Sequence, residues 1–149
     1  MKNLIIFLAT GLGVGFLPFA PGTFGTILSF LIWWIFIPDK IFIQIIVLVS
    51  GVILAFFVSD MAEKIFLQKD EQKIVIDEII GFWVALVGIP KKFIFVLLAF
   101  FIFRIFDVLK LPFIGNIQKL NGGAGIILDD ILAGLLTNFL IHIIIFAVA

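Results

Sequence analysis

The run IFIQIIVLVSGVILAFFV, residues 41–58, contains no acid, lysine or arginine. Its length falls within the ~17–25 apolar residues that a helix needs to cross a bilayer. Lipid offers no water to an open backbone, so such a run is stable only with its hydrogen bonds closed internally, and a transmembrane helix is predicted. A second run, ILAGLLTNFLIHIIIFAV at 131–148, meets the same test. The whole chain agrees, with 64% hydrophobic and 13% charged residues among 149 and a mean hydropathy of +1.37. A soluble domain carries roughly 45–50% apolar and about 25% charged residues. A water-soluble fold this small leaves too much surface exposed to hide so much Phe, Ile, Leu and Val.

Further helices are shorter. Residues 93–103 make a full span if the helix continues to Lys110, and Pro112 disfavours helix at the residue before it. Residues 24–37, 79–87 and 4–16 are short, the last interrupted by Gly11, Gly13 and Gly15. Interrupted helices are tolerated at membrane depth where they line a polar cavity. Residues 59–73 and 111–128 read as long polar connections, and 38–40 and 89–92 as tight turns. Threading these segments alternately through a membrane brings every acid except Asp39, and the Gly/Pro loop at 18–25, to one face. The expected fold is therefore all-α: a polytopic membrane helical bundle in one domain, 1–149, with several short or interrupted helices and a polar site at one membrane face. That face carries Lys64, Lys69, Lys73, Arg104, Lys110 and Lys119 against Lys2, Lys40, Lys91 and Lys92 on the other, which leans towards a cytoplasmic site.

Several function classes drop out. There is no cysteine, so thiolate metal sites, disulfides and cysteine nucleophiles are excluded. Net charge is zero with no polybasic run, so nucleic acid is not an expected partner. The apolar start at 4–9 runs into Gly- and Pro-rich sequence without a small-residue cleavage site, and reads as mature structure rather than a signal peptide. Gly11-Leu12-Gly13-Val14-Gly15 lacks the G-x-G-x-x-G spacing of a dinucleotide loop, and close helix packing is the better account of it. His142 lies deep in the last apolar run and is expected to pack or to bond between helices rather than to act as a ligand.

The chemistry is expected from the acids. Asp77-Glu78 and Asp129-Asp130 each precede an apolar helix. Helix capping accounts for a lone acid, but paired acids beside lipid-facing sequence point to a functional site. Arg104 and Asp107 share one helix face, with Lys110 three residues further on. Convergent carboxylates cannot all stay ionised unless cations neutralise them, and hard oxygen donors favour magnesium, calcium or manganese over zinc. In Pro21-Gly22-Thr23-Phe24-Gly25-Thr26, Gly22 permits an unusual turn and Thr23 can cap the next helix. Free N–H groups at such a helix start can bind phosphate, and plain capping is an equal alternative. Gly122-Gly123-Ala124-Gly125 reads as a flexible loop delivering the helix that starts at Asp129-Asp130.

Taken in order, these segments resemble the phosphatidylglycerophosphatase A family. They are Gly13-x-Gly15 through Thr26, residues 74–81 around Asp77-Glu78, residues 103–110 around Arg104 and Asp107, and residues 122–130 with Ala133-Gly134. Two places depart from the family: Leu111-Pro112-Phe113 follows Lys110 where Pro-x-Pro is usual, and Asn121 stands where a His is frequent. The resemblance implies hydrolysis of the terminal phosphate of phosphatidylglycerophosphate to give phosphatidylglycerol, with Mg2+ as cofactor, in a bacterial cytoplasmic membrane. On that reading Asp77, Asp107, Asp129 and Asp130, with Glu78, hold the metal, and Glu78 helps deprotonate the attacking water. Arg104 and Lys110 neutralise the phosphate, and Pro21, Gly22, Thr23 and Thr26 contact the substrate. A phosphoaspartyl intermediate is the alternative route. A cation transporter would also use carboxylates among interrupted helices, but nearer mid-membrane. The D-G-x-x-A-R pattern expected of a phosphatidyltransferase is absent.

Overall fold

The apolar run at 41–58 becomes the first two thirds of a longer helix, because its buried stripe of Ala55, Val58 and Ala62 continues past the polar boundary. The computed structural model describes residues 2–68, 71–109 and 123–148. Six α-helices occur among them and no strand: α1 (Lys2–Ala9), α2 (Pro21–Phe36), α3 (Ile41–Phe66), α4 (Ile76–Leu86), α5 (Phe93–Leu109) and α6 (Gly123–Val148). A 3-10 turn, Val14–Phe16, joins α1 to α2.

The short helix α4 is the hub, buried on nearly all sides. Phe82, Ala85 and Leu86 join a core with Trp33 of α2, Val96 and Phe103 of α5, and Ala133 and Ile141 of α6. Its other side, Ile76 and Ile80, packs with Ala9 of α1 and Ala55, Val58 and Ala62 of α3. The outer surface is apolar: Ile46, Val49, Ile53 and Phe57 on α3, and Leu135, Phe139, Ile143 and Phe146 on α6, are all exposed. Exposed apolar surface this continuous marks contact with a partner or a membrane. Among the described residues, two helices are long and apolar enough to cross a bilayer, Ile41–Phe66 and Ile127–Val148, with mean hydropathies of 2.9 and 2.4 over an 18-residue stretch.

At about 1.5 Å per residue, the 11 residues of α4 reach only about 16 Å, roughly half of a ~30 Å hydrocarbon core. Its last carbonyls therefore end inside the fold, where they need partners. Asn138 of α6 donates through Nδ2 to Ala85 O (3.0 Å) and Val87 O (2.8 Å). Gln44 of α3, itself buried, accepts from the Gly88 N–H at 2.9 Å. Lys91 does the same for α2, donating to Trp34 O at 3.0 Å and to Ile37 O.

Several sequence expectations are corrected. Residues 59–66 are helix rather than polar connection, with Asp60 and Lys64 paired one turn apart on the exposed face. The last helix begins at Gly123, so Asp129 and Asp130 lie in its second turn rather than at its start, and Gly123, Ala124 and Gly125 are helical. Helix α2 begins at Pro21, with Ala20 and not Thr23 at the N-cap and no side-chain cap. The first helix stops at Ala9; Gly11 (φ 53°), Leu12 (φ 59°) and Gly13 (φ 96°) form a left-handed turn rather than a helical stripe. Close packing does hold at Gly11, against Val75 and Ile79, and at Gly15, against the Lys73 carbonyl.

Candidate active site

Helix α4 meets α6 through glycine. A Cβ added at Gly81 would stand 2.7 Å from both Cβ and O of Asp130, and one added at Gly134 would run into the Gly81 carbonyl. Nothing larger than hydrogen lets the two backbones approach this closely. Asp77 lies one turn before Gly81, and Asp130 one turn before Gly134. The close contact thus places the carboxylates of Asp77, Glu78 and Asp130 together, with ligand oxygens all within 4.8 Å of one another.

Around them is a cavity of about 480 Å³, lined by Ala20, Pro21, Gly22, Glu71, Gln72, Ile74, Asp77, Glu78, Arg104, Asp107, Val108, Asp129 and Asp130. The ends of α2, α4 and α5 and the second turn of α6 contribute to it, so acids far apart in sequence converge at one end of the helices. Arg104 is the one cation among the described lining residues. Its Nη1 pairs with Asp107 Oδ2 one turn along α5, while its Nε is buried without a partner among the described residues. Asp77 Oδ1 and Glu78 Oε2 are also buried without a hydrogen-bond partner among the described residues. A buried carboxylate oxygen left unpaired is costly, and a hard cation is the partner that fits the two such oxygens, on Asp77 and Glu78, with the Asp130 carboxylate beside them. The donor set, all carboxylate oxygen, suits Mg2+, Mn2+ or Ca2+.

The start of α2 closes one side of the cavity. Ala20 sits in the left-handed region (φ 44°), an unusual conformation for a residue with a Cβ and more so before proline. Such strain costs roughly 1–3 kcal/mol and concentrates at functional sites. It delivers the backbone of Pro21 and Gly22 to the acids: a Cβ on Gly22 would collide with Glu78 Oε1 and lie 3.4 Å from Arg104 Nη1.

The sequence-derived candidates thus divide. Asp77, Glu78, Arg104, Asp107, Asp129, Asp130, Pro21 and Gly22 share the cavity. Thr23 and Thr26 do not line it; Thr26 is fully buried and its hydroxyl donates to Gly22 O at 2.9 Å. Lys110, like Lys119 and Asn121, lies outside the described residues. His142 is exposed on α6, its Nδ1 2.9 Å from the Asn138 carbonyl, away from the acids. Glu71 and Gln72, which sequence reasoning passed over, line the cavity, with Glu71 3.3 Å from Lys73. Gln44 and Asn138 carried a signal, each being a polar side chain in an otherwise apolar run.

Fold and site together define an all-helical protein with an apolar exterior and a carboxylate cluster suited to a hard cation. The chain belongs to the phosphatidylglycerophosphatase A family, whose sequence profile matches residues 7–145. It is 32% identical over 148 residues to phosphatidylglycerophosphatase A of Escherichia coli, covering 97% of this chain and 85% of the relative. The corresponding Haemophilus influenzae protein is 31% identical over 139 residues, 91% of this chain and 85% of that one. A candidate phosphatidylinositol-3-phosphatase of Bacteroides thetaiotaomicron is 31% identical over 150 residues, 94% of this chain and 92% of the relative. No solved structure matches the chain.

Proposed function

We propose that the protein is a Mg2+-dependent phosphatase that removes the terminal phosphate of phosphatidylglycerophosphate, giving phosphatidylglycerol. The observation that carries the reading is the triad Asp77, Glu78 and Asp130, in one cavity with Arg104 in a chain of this family. Within it, Asp77 and Glu78 each have a buried oxygen without a partner among the described residues. The chain is read as one domain, 1–149, forming a polytopic bundle in the bacterial cytoplasmic membrane with the cavity facing the cytoplasm. The apolar exterior and the capped, half-length α4 support the membrane setting, and the excess of Lys and Arg on the cavity face supports the cytoplasmic side.

Asp77, Glu78 and Asp130 would hold the metal, with Asp107 and Asp129 completing the negative wall around it. Bound there, Mg2+ supplies charge neutralisation for phosphoryl transfer and lowers the pKa of water. The protein's own groups do the remainder. Arg104 presents its guanidinium to the non-bridging phosphate oxygens, with Asp107 fixing its orientation from one turn away. The Gly22 N–H, at the start of α2, donates to the same phosphate. The water oxygen bonds to phosphorus as the bond from phosphorus to the glycerol oxygen breaks. Glu78 accepts the proton of the attacking water and returns it to the departing glycerol oxygen, which leaves as the alcohol, with inorganic phosphate as the other product. Lys110 is assigned a second phosphate contact from the family resemblance. The transporter reading lacks support, because the acids sit together at the helix ends rather than along a path.

The Bacteroides relative's name raises a second lipid phosphomonoester as substrate. Phosphate release by the purified protein from phosphatidylglycerophosphate and from phosphatidylinositol 3-phosphate, side by side with Mg2+, tests the assignment. Faster release from phosphatidylglycerophosphate is expected. Preference for the inositol lipid would overturn the substrate, and release from neither would overturn the function.

A further inference from the structure

Arg104, Asp107 and Val108 lie on the face of α5 that lines the carboxylate cavity. Followed back along the helix at ~3.6 residues per turn, Phe100, Leu97, Val96 and Phe93 fall on the same stripe. One helix face thus changes from charged to wholly apolar at Arg104. Its lower half lines a groove of about 250 Å³ between α5 and α2, completed by Ile27 and Phe30 and without a polar lining group. Helix α2 also serves both features, since Pro21 and Gly22 line the cavity above. Val96 is the buried floor, and Ile27 and Leu97 are partly exposed at the rim. Phe30 and Phe93 meet edge to face at 6.3 Å towards the far end.

From Arg104 down to Phe93 is about 16 Å of helix, close to half of a ~30 Å hydrocarbon core. That is one leaflet, the depth to which a lipid chain reaches from a headgroup at the surface. A volume of about 250 Å³ is less than one turn of a protein helix roughly 10 Å across would fill.

We propose that the α2–α5 groove binds one acyl chain of the lipid whose phosphate enters the cavity, setting the register of headgroup against Arg104 and the acids. The inference rests on the lipid-phosphatase reading and adds to it a specificity site for the chain. Burial of the chain fixes the depth of the ester, so the groove acts on long-chain substrates and is indifferent to a headgroup with short tails.

The test fills the groove with Leu97→Trp and, separately, Ile27→Trp, using Phe139→Trp on the exposed face of α6 as control. Phosphate release is measured with dioleoyl and dihexanoyl phosphatidylglycerophosphate in the same detergent. Both groove variants are expected to lose about tenfold in kcat/KM on the dioleoyl lipid, the effect of displacing about two buried methylene groups. They should match wild type on the dihexanoyl lipid, which also shows that they fold. Equal loss on both substrates, or no loss on either, would overturn the groove while leaving the phosphatase reading intact. Wild-type protein inert on both lipids would overturn the two together. Independently of turnover, a lipid phosphate with a mid-chain diazirine should photolabel peptides containing residues 27–30 and 93–100. Labelling confined to α3 or α6 would contradict the proposal.

Discussion

Replacing Gly22 by alanine should separate stability from catalysis. Gly22 lies in the first turn of α2, where alanine is the better helix former by up to about 1 kcal/mol. Its new Cβ would collide with Glu78 Oε1, the far end of a flexible side chain, so the backbone need not yield. The carboxylate must instead retreat by about 1 Å or more to regain ordinary van der Waals separation. That retreat takes it out of a cluster whose oxygens lie within 4.8 Å of one another. Misplacement of a catalytic group by ~1 Å costs on the order of 10²-fold in rate. Gly22→Ala is therefore expected to keep or slightly raise Tm in detergent while kcat falls about a hundredfold. Phosphate release and thermal unfolding on one preparation decide it. Wild-type kcat in Gly22→Ala would refute the placement of Glu78 at the reacting centre, and a large fall in Tm would assign the loss to folding.

Arg104→Lys keeps the charge but loses the fork that grips two phosphate oxygens, so kcat/KM should drop at least about tenfold; a silent substitution would reduce Arg104 to the ion pair with Asp107. Asn138→Leu leaves the Ala85 and Val87 carbonyls without their donor, and should cost about 1–2 kcal/mol of stability in a thermal or denaturant assay. Unchanged unfolding would mean that the end of α4 is satisfied otherwise. His142→Ala should retain most activity, because the ring bonds only within its own helix among the described contacts; an inactive, folded variant would show the site to be misplaced.

The helical class and the convergence of acids were readable in the sequence for one reason. Apolar runs predict where the helices lie, and threading those helices alternately predicts which of their ends meet; the cavity does gather Asp77, Glu78, Asp107, Asp129 and Asp130. The ends of elements were harder. Residues 59–66 look polar, yet Ala55, Val58 and Ala62 continue the buried stripe at helical spacing while Asp60 and Lys64 face outward. The glycines at 123 and 125 read as loop by propensity, but Gly125 is buried and the helix is carried by packing. Thr26 looked free for a ligand because its acceptor, Gly22 O, appears only once α2 starts at Pro21. Gln44 and Asn138 were visible as polar residues in apolar runs, but their targets depend on where α4 stops inside the fold. Gly81 and Gly134 reveal their role only when α4 and α6 are seen in contact.

The most direct test of the account is phosphate release from phosphatidylglycerophosphate as a function of Mg2+ after EDTA treatment, for wild type, Asp77→Asn and Asp130→Asn. An amide keeps the shape of the carboxylate but is a poorer ligand for a hard cation. Wild type should be inactive in EDTA and recover on adding Mg2+, while both variants stay folded and recover little activity at any concentration. Full turnover by metal-free wild type, or normal Mg2+ dependence in both variants, would contradict a catalytic metal held by this cluster.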